Sequence, residues 1–225
     1  MSPISVPAIC LVTDRHQLCP DARTEASALR QLESWLDDAI DRVDLIQVRE
    51  RDVEGRRLLA LADRLARRTR GTRTRLVVND RADVAVAAGL DGVHLRADGP
   101  AVSRVRSLGP HGWLVGRSVH GLDEVRAQSA ADYLLFGTMF PTGSKPPGTP
   151  VQGADALSAA VRATSVPVVA IGGITAARAR VCFETGAAGV AAIGLFLPEG
   201  QKPGALGVRR AVSELRAAFD LPPLA

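Results

Sequence analysis

The sequence predicts a single (β/α)8 barrel, and three observations support this fold. Eight short apolar runs rich in β-branched residues alternate with helical patterns along the chain. The runs are nearly continuous hydrophobic stretches, as in parallel strands that are covered by helices. The length of 225 residues is close to the size at which eight strands and eight helices close into a barrel. An open doubly wound sheet is the alternative, and the length and the number of strands favour the barrel.

The predicted elements follow one another in a regular order. The strands are AICLVT, LIQVR, RLVVN, GVHL, WLVGRS, YLLFG, VPVVAIG and GVAAIG. The helical patterns that follow them cover roughly residues 24–40, 54–69, 81–88, 99–107, 121–129, 153–163, 175–186 and 203–219. No linker rich in Pro, Gly or Ser divides the chain, so we expect residues 1–225 to form one domain. The long irregular segment after the sixth strand is predicted to be functional or disordered.

The composition indicates a globular protein with a sizeable core, since 46% of its residues are hydrophobic and 23% are charged. The longest apolar run, VPVVAIGGI, is far too short to span a membrane, and the N-terminus lacks the pattern of a secretory signal. We therefore expect a cytoplasmic protein without a membrane partner. Cys10, Cys19 and Cys182 form no C-x-x-C pair and are expected to be reduced thiols without a chemical role.

The Arg-rich run RRLLALADRLARRTRGTRTR and the net charge of +4 raise the question of a nucleic-acid partner. Leu58, Leu61 and Leu65 recur there at helical spacing. Most of the arginines are therefore predicted to lie on the solvated face of an amphipathic helix. Aromatic residues make up only 4% of the chain, which leaves few platforms on which bases could stack. We predict no nucleic-acid partner.

Polar residues follow most of the predicted strands, where a barrel carries its active site. Those after strands two to six are Gln47, Arg49, Glu50, Arg51, Asn79, Asp80, Arg81, His94, Asp98, Arg117, Ser118, His120, Thr142, Ser144 and Lys145. Gly172 and Gly173 follow strand seven and Gly194 ends strand eight, where many barrels bind a phosphate on backbone N–H groups. The sequence therefore predicts an anion site at this rim.

The predicted rim also holds groups that could bind a second anion. Arg49 and Lys145 are the cations best placed for it, and Gln47 and Asn79 add neutral donors. A salt bridge with a neighbouring carboxylate is the alternative for each cation. Together these residues indicate a site with more negative charge than one phosphate carries.

Asp80 and His120 are the candidates for metal binding and proton transfer. Asp80 could ligate Mg²⁺, which phosphate enzymes hold with one or two carboxylates, or it could cap the helix that starts at Arg81. His120 follows the fifth strand, and an imidazole can accept and return a proton near neutral pH. A structural histidine bonded to backbone is the alternative. His94 alternates with apolar neighbours in a strand and is predicted to point into the barrel.

Six motifs in order resemble the signatures of the thiamine phosphate synthase and TenI superfamily. They are CLVTDR, IQVRERD, VVNDRADVAVAAGLDGVHL, GRSVHGLDE, DYLLFGTMFPTGSK and VPVVAIGGIT. The resemblance spans about residues 9 to 196. Each motif alone is loose, but all six in this order are specific. The resemblance implies a (β/α)8 barrel, in agreement with the strand count.

The resemblance implies a function in thiamine biosynthesis on phosphorylated small molecules. Synthases of this superfamily join a hydroxymethylpyrimidine diphosphate to a thiazole phosphate and release diphosphate with the help of Mg²⁺. Carried over to this sequence, the pyrimidine diphosphate would be bound by Gln47, Arg49, Arg51, Asn79, Ser118 and Lys145. The thiazole phosphate would be bound by Thr142, Ser144, Gly173, Ile193 and Gly194. Asp80 would ligate the metal.

The segment HLRADG departs from the synthase pattern H-L-G-Q-x-D. Gly99 stands where the synthases have a second metal-binding carboxylate, and Asp98, one residue earlier, is the remaining candidate for that ligand. Two smaller departures are Arg51 in place of Lys and Gly194 in place of Ser.

The first of these departures, together with the segments IQVRER and GRSVHGLDE, which resemble the TenI branch more closely, favours that branch, whose members often lack the metal and diphosphate residues. Some are thiazole tautomerases, in which a histidine at the position of His120 moves a proton between two tautomers of a carboxythiazole phosphate, and no cofactor is then expected. A Mg²⁺-dependent thiamine phosphate synthase is the alternative. A non-catalytic regulatory barrel that binds a thiamine precursor is a second alternative. The oligomeric state is left open, a homo-oligomer included.

Overall fold

The computed structural model describes residues 4–143, 145–146, 148–197 and 205–220. They contain a closed barrel in which eight parallel strands pair in sequence order and the last strand pairs with the first. The strands are β1 (Ala8–Val12), β2 (Leu45–Val48), β3 (Arg75–Asn79), β4 (Gly92–Leu95), β5 (Leu114–Val119), β6 (Tyr133–Phe136), β7 (Val168–Ile171) and β8 (Gly189–Ala192). The predicted (β/α)8 barrel is confirmed. That residues 1–225 form one domain stays a prediction.

The barrel is surrounded by helices that connect or follow the strands. They are α1 (Arg15–Leu18), α2 (Glu25–Asp37), α3 (Gly55–Thr69), α4 (Ala82–Ala87), α5 (Val102–Arg106), α6 (Leu122–Ala127), α7 (Gly153–Arg162), α8 (Ala176–Glu184) and α9 (Ala205–Asp220), with a 3-10 turn at Gly194–Phe196. The longer helices begin and end within a few residues of the predicted patterns. The helix α1 and the 3-10 turn were not predicted, because such short elements cannot show an amphipathic repeat.

Strand side chains alternate between the barrel interior and the layer of helices. Cys10, Leu45, Val77 and Tyr133 belong to a buried cluster inside the barrel. Their neighbours along the strands pack in a larger cluster with the inner faces of the helices. The interior is thus filled by side chains, as usual for this fold, and chemistry is confined to the open rim.

Because Gly116 has no side chain, the buried ring of Tyr133 can occupy the space beside its Cα atom. The two residues are register partners on β5 and β6, and a Cβ atom on Gly116 would lie 2.2 Å from the Cζ atom of that ring. Because the ring has no room to move, we expect Gly116→Val to lower the free energy of unfolding by about 2–3 kcal/mol. Urea denaturation would measure this loss.

A second glycine provides the matched control for that substitution. Gly121 has extended backbone (φ −163°), and a Cβ atom there would meet no atom within 4 Å. Gly121→Ala should therefore change the free energy of unfolding by less than about 1 kcal/mol. Equal unfolding midpoints for these two glycine variants would contradict the expected packing.

The Arg-rich helix α3 is joined to α2 by ion pairs. Arg57 pairs with Glu25, and Arg64 and Arg68 both pair with Glu33. Its apolar face, formed by Leu58, Leu61 and Leu65, is buried against the barrel. All five arginines of α3 are half-buried or exposed, and several bind acidic side chains of this chain, as expected for the solvated face of an amphipathic helix.

Two further properties of the described residues concern membrane-spanning helices and the cysteine thiols. No helix among them is long and apolar enough to cross a membrane. The thiols of Cys10, Cys19 and Cys182 are unpaired and buried, and burial raises the pKa of each. These thiols are therefore poor nucleophiles, since the reactive form is the thiolate.

Candidate active site

The C-terminal rim of the barrel is polar on one half and apolar on the other. Polar side chains take the inward positions near the ends of four adjacent strands, β2 to β5, and they are Gln47, Asn79, His94 and Ser118. On the opposite half, Leu135, Ile171 and Ile193 continue the apolar interior cluster. The rim can therefore hold a ligand that has one hydrogen-bonding part and one apolar part.

A chain of hydrogen bonds runs along the ends of β2, β3 and β4. The amide nitrogen of Gln47 donates to Asn79 Oδ1 at 2.9 Å, and Asn79 Nδ2 donates to Asp80 Oδ2 at 2.8 Å. Asp80 Oδ1 accepts the backbone N–H of Arg96 at 2.9 Å. Gln47 is 2% exposed, and its Oε1 atom is buried without a hydrogen-bond partner among the described residues. A buried unpaired acceptor is costly, so this oxygen is suited to receive a donor from a ligand.

Asp80 has a backbone conformation that few residue types adopt readily. Its φ of +60° lies in the left-handed region, which Asn and Asp adopt more readily than other side chains. The helix α4 has Arg81 at its N-cap and no side-chain capping bond, so the alternative that Asp80 caps this helix is wrong. The conformation and the two hydrogen bonds hold the carboxylate at the rim.

The guanidinium of Arg49 forms no ion pair with any residue that the structure describes. Its side chain is half-buried, and no carboxylate among the described residues lies within salt-bridge distance of its guanidinium. Burial is the main cause that lowers its pKa, but a guanidinium remains charged in proteins. Its backbone N–H donates to Thr13 Oγ1 at 2.9 Å. A partly desolvated cation in a fixed position is suited to bind an anion.

Glu50 pairs with Arg15 and not with Arg49. Arg15 Nη1 lies 3.1 Å from Glu50 and 2.6 Å from Asp52, and Thr13 Oγ1 donates to Glu50 at 2.6 Å. Burial is the main cause that raises the pKa of Glu50, and the hydrogen bonds from Thr13 and Arg15 oppose this effect. The hydrogen bond from Arg15 is the main cause that lowers the pKa of Asp52. The cluster joins the ends of β1 and β2 and leaves the Arg49 side chain available.

His94 is buried below the rim and points into the barrel, as the alternation of side chains along its strand predicted. Its ring lies 2.9 Å from Ser118 Oγ through Nε2 and 3.2 Å from the Tyr133 hydroxyl through Nδ1. Burial lowers the pKa of His94 to about 3, with the charges of Arg117 and Arg49 adding to the effect. The ring is therefore neutral at physiological pH and orients Ser118 through a hydrogen bond.

His120 lies at the rim after β5, with its ring held in one tautomer. Nδ1 is 2.5 Å from the carbonyl oxygen of Gly137, and a carbonyl can only accept, so Nδ1 carries the proton. In the neutral ring Nε2 then keeps its lone pair. The backbone of His120 is also anchored, since its N–H donates to Glu124 and its carbonyl accepts from Gln152 Nε2. The structural role and the proton-transfer role predicted for this residue are thus compatible.

The long loop between β6 and α7 lies over the apolar half of the rim. Its start bonds to the end of β7, because Met139 N–H donates to Ile171 and Phe140 N–H donates to the Gly172 carbonyl. Thr142 is half-buried and Lys145 is exposed, and the Lys145 N–H lies 3.3 Å from the Thr142 carbonyl. Ser144 lies outside the described residues. The predicted roles of these three residues in phosphate binding stay predictions.

The two predicted phosphate glycines differ in their surroundings. Gly173 has φ +64°, and a Cβ atom there would lie 2.5 Å from the Pro141 carbonyl oxygen, so glycine is required for the loop to pack against β7. Gly194 is exposed, and a Cβ atom there would meet nothing within 4 Å. Open space next to a glycine backbone allows an oxyanion to approach. Ile193 precedes Gly194 on the same rim.

Arg117 organises the loop between β4 and α5. Its guanidinium donates to the carbonyl oxygens of Arg96 at 2.6 Å, Gly99 at 3.2 Å and Pro100 at 2.5 Å. Burial lowers its pKa. Arg117 was expected only as one of the polar rim residues, and Thr13 and Arg15 were not predicted to be functional, although all three lie inside the motifs CLVTDR and GRSVHGLDE. Their partners are far away in the sequence, so the motifs were the only available signal.

Asp80 is the single carboxylate that the described residues offer to a metal ion at this part of the rim. The described ranges contain no group of three or more His, Cys, Asp or Glu side chains that could hold a metal. Asp98 is 79% exposed and pairs with Arg96 at 2.8 Å, and no described contact joins it to Asp80. One carboxylate is sufficient when phosphate oxygens and water complete the shell of Mg²⁺. Arg51 is exposed in the loop after β2.

Comparison with known proteins assigns the chain to a family. A family model described as thiamine monophosphate synthase matches residues 9–196. The chain belongs to the thiamine monophosphate synthase family. Relatives include thiamine-phosphate synthases from Methanoculleus marisnigri, 43% identical over 70% of this chain and 75% of that protein, and from Clostridium botulinum, 36% identical over 76% of this chain and 84% of that protein.

One solved structure agrees with this family, and a more distant one agrees with the fold. The thiamine phosphate pyrophosphorylase from Pyrococcus furiosus has a TM-score of 0.76 and 28% identity, over 97% of this chain and 96% of that chain. A 3-hexulose-6-phosphate synthase with 17% identity and a TM-score of 0.62 shares the fold alone. Family membership confirms the expectation of an enzyme of thiamine biosynthesis. The names of the relatives support the synthase alternative better than the tautomerase that the sequence favoured.

Proposed function

We propose that the protein is a thiamine-phosphate synthase, which joins hydroxymethylpyrimidine diphosphate to thiazole phosphate. The observation that carries the proposal is Arg49, a half-buried cation without an ion pair among the described residues. It lies directly after the strand that carries Gln47, beside the chain of hydrogen bonds that ends at Asp80. A cation, an unpaired acceptor and a carboxylate on one rim suit a ligand that has a hydrogen-bonding ring and a diphosphate.

Gln47 and Asn79 would bind the pyrimidine ring. The unpaired Oε1 atom of Gln47 can accept a hydrogen bond from the amino group of the pyrimidine. The amide of Asn79 is oriented by Gln47 on one side and Asp80 on the other. Ser118, held by His94, would add a hydroxyl from the adjacent strand.

Arg49 and Lys145 would bind the diphosphate, with Arg51 adding charge at the solvent side. Asp80 would hold Mg²⁺. When bound, the ion neutralises negative charge on the diphosphate and so makes it a better leaving group. Asp98 is the weaker candidate for a second carboxylate, because it is exposed and paired with Arg96.

The reaction breaks the bond between the pyrimidine methylene carbon and the diphosphate oxygen, which leaves with the electron pair. The lone pair of the thiazole ring nitrogen forms the new carbon–nitrogen bond. The contribution of the protein is to hold the two substrates in line and to neutralise the leaving group. Thr142, Ser144, Gly173, Ile193 and Gly194 would hold the thiazole phosphate against the apolar half of the rim.

The test is an assay of the purified full-length protein with both substrates. We expect thiamine phosphate and diphosphate to form with MgCl₂ and product formation to stop with excess EDTA. Arg49→Met should raise the KM for the pyrimidine diphosphate about 30-fold, because losing a charge-assisted contact costs about 2 kcal/mol or more.

A matched substitution controls for the change of charge. Arg30 is exposed on α2 and has no described side-chain contact, so Arg30→Met should leave the KM unchanged. The proposal fails if wild-type protein forms no thiamine phosphate with Mg²⁺. An unchanged KM in the Arg49 variant would instead remove Arg49 from the diphosphate site.

A thiazole tautomerase is the second candidate, and the geometry of His120 favours it. The hydrogen bond from Nδ1 to Gly137 fixes the tautomer in which Nε2 can act as a base. The ring lies on the same rim as the residues proposed for the thiazole phosphate. A regulatory barrel without catalytic activity would bind the thiazole phosphate and turn over neither set of substrates.

A further inference from the structure

Arg178 connects helix α8 to the loop between β6 and α7. Its Nη1 atom donates to the Gly173 carbonyl at 2.7 Å, and its Cζ atom lies 5.0 Å from the centroid of the Phe140 ring. A guanidinium over an aromatic face at this distance forms a cation–π contact. One side chain thus contacts both the end of β7 and the loop that follows β6.

The charge of Arg178 is not used in an ion pair with any residue that the structure describes. No carboxylate in the described ranges lies within salt-bridge distance of its guanidinium, in contrast to Arg180 two residues later, which pairs with Glu184 at 3.1 Å. Arg178 is half-buried, and its position is set early in α8, where the Thr175 side chain accepts the Arg178 N–H. The Arg178 contacts with Gly173 and Phe140 are therefore not the by-product of a salt bridge.

The segment that Arg178 contacts leads directly into the proposed phosphate site. Phe140 N–H donates to the Gly172 carbonyl at 3.0 Å. The Pro141 carbonyl would lie 2.5 Å from a Cβ atom on Gly173, so the loop and β7 are in close contact. Thr142 comes next along the chain. Any loosening of Phe140 from β7 would displace Thr142 and its hydroxyl.

We propose that Arg178 is a positioning residue that fixes the β6–α7 loop on the end of β7 and thereby preorganises Thr142 for a phosphate monoester. This inference rests on the proposed function for its ligand, the thiazole phosphate. A loop that is ordered before binding loses less entropy on binding. The effect should therefore be on substrate affinity, with little effect on the rate of the chemical step.

The experiment compares Arg178→Gln with wild-type protein in three measurements, which are hydrogen exchange, calorimetry and steady-state kinetics. Hydrogen exchange should show the Phe140 amide exchanging about tenfold faster in the variant. Calorimetry should show about tenfold weaker binding of thiazole phosphate, and the KM for that substrate should rise about as much while kcat stays within about threefold. Arg178→Lys keeps the charge and a donor and should recover part of the affinity.

The control is Arg162→Gln on α7, which removes an exposed guanidinium whose described bond is to Ser158, and it should change none of these measurements. Unchanged exchange at Phe140 would overturn the inference. Faster exchange with unchanged affinity would also overturn it, because Arg178 would then be only structural. If wild-type protein does not bind thiazole phosphate, the proposed function fails. Exchange at Phe140 then decides whether Arg178 holds the loop.

Discussion

Asp80→Asn is expected to lower the rate of thiamine phosphate formation at a fixed Mg²⁺ concentration by at least about 100-fold. The substitution keeps the size of the side chain, and Asn tolerates the left-handed φ of +60° at this position. The Oδ1 atom of Asn can still accept the Arg96 N–H, whereas the hydrogen bond from Asn79 Nδ2 is lost. The charge that would hold the metal is lost, so the loss of rate should be partly relieved by raising the Mg²⁺ concentration.

Asp83→Asn is the control for this prediction. Asp83 is exposed on α4 and pairs with Arg81, away from the hydrogen bonds that hold Asp80. Its substitution removes the same charge and should leave the Mg²⁺ dependence unchanged. Titration of initial rates with MgCl₂ would measure both variants. Wild-type Mg²⁺ dependence in the Asp80 variant would show that another group holds the metal, and Asp98 would be tested next.

His120→Ala should separate the two candidate reactions. If the protein converts carboxythiazole phosphate, we expect this tautomerisation to slow by about 10²- to 10⁴-fold, as for the loss of a general acid–base group. Thiamine phosphate formation needs no such proton transfer at His120 and should stay within about threefold. Both rates are measured on the same preparation with the two sets of substrates.

His120 also anchors Gly137, so the loop must be monitored in the same variant. His120→Gln is the useful companion, because its amide can donate to the Gly137 carbonyl but is no base near neutral pH. Equal losses of both reactions in His120→Ala, with recovery of both in His120→Gln, would show that the residue only holds the loop. The position of Glu50 on the same rim makes it the next candidate for the base by sequence, but its burial and its ion pair with Arg15 argue against that role.

Much of the fold follows from the sequence because parallel strands covered on both faces need continuous apolar runs. The run RLVVN becomes β3, with Leu76, Val77 and Val78 buried. The period-2 alternation of strands also predicts that His94 points inward. Motifs at strand ends indicate the rim residues, since the fold places every strand end at one rim. The short helix α1 has no comparable signal.

What the sequence by itself determined is therefore the barrel, the family and the strand ends at which the polar residues of the rim lie. Only the tertiary structure decided how these residues are paired. Glu50 contacts Arg15, 35 positions earlier, and this pairing leaves Arg49 without an ion pair among the described residues. Arg178 contacts Phe140 because α8 and the β6–α7 loop meet at the end of β7. Local propensity and spacing determine the course of one strand or helix, whereas charge pairing depends on distances between segments that only the closed barrel brings together.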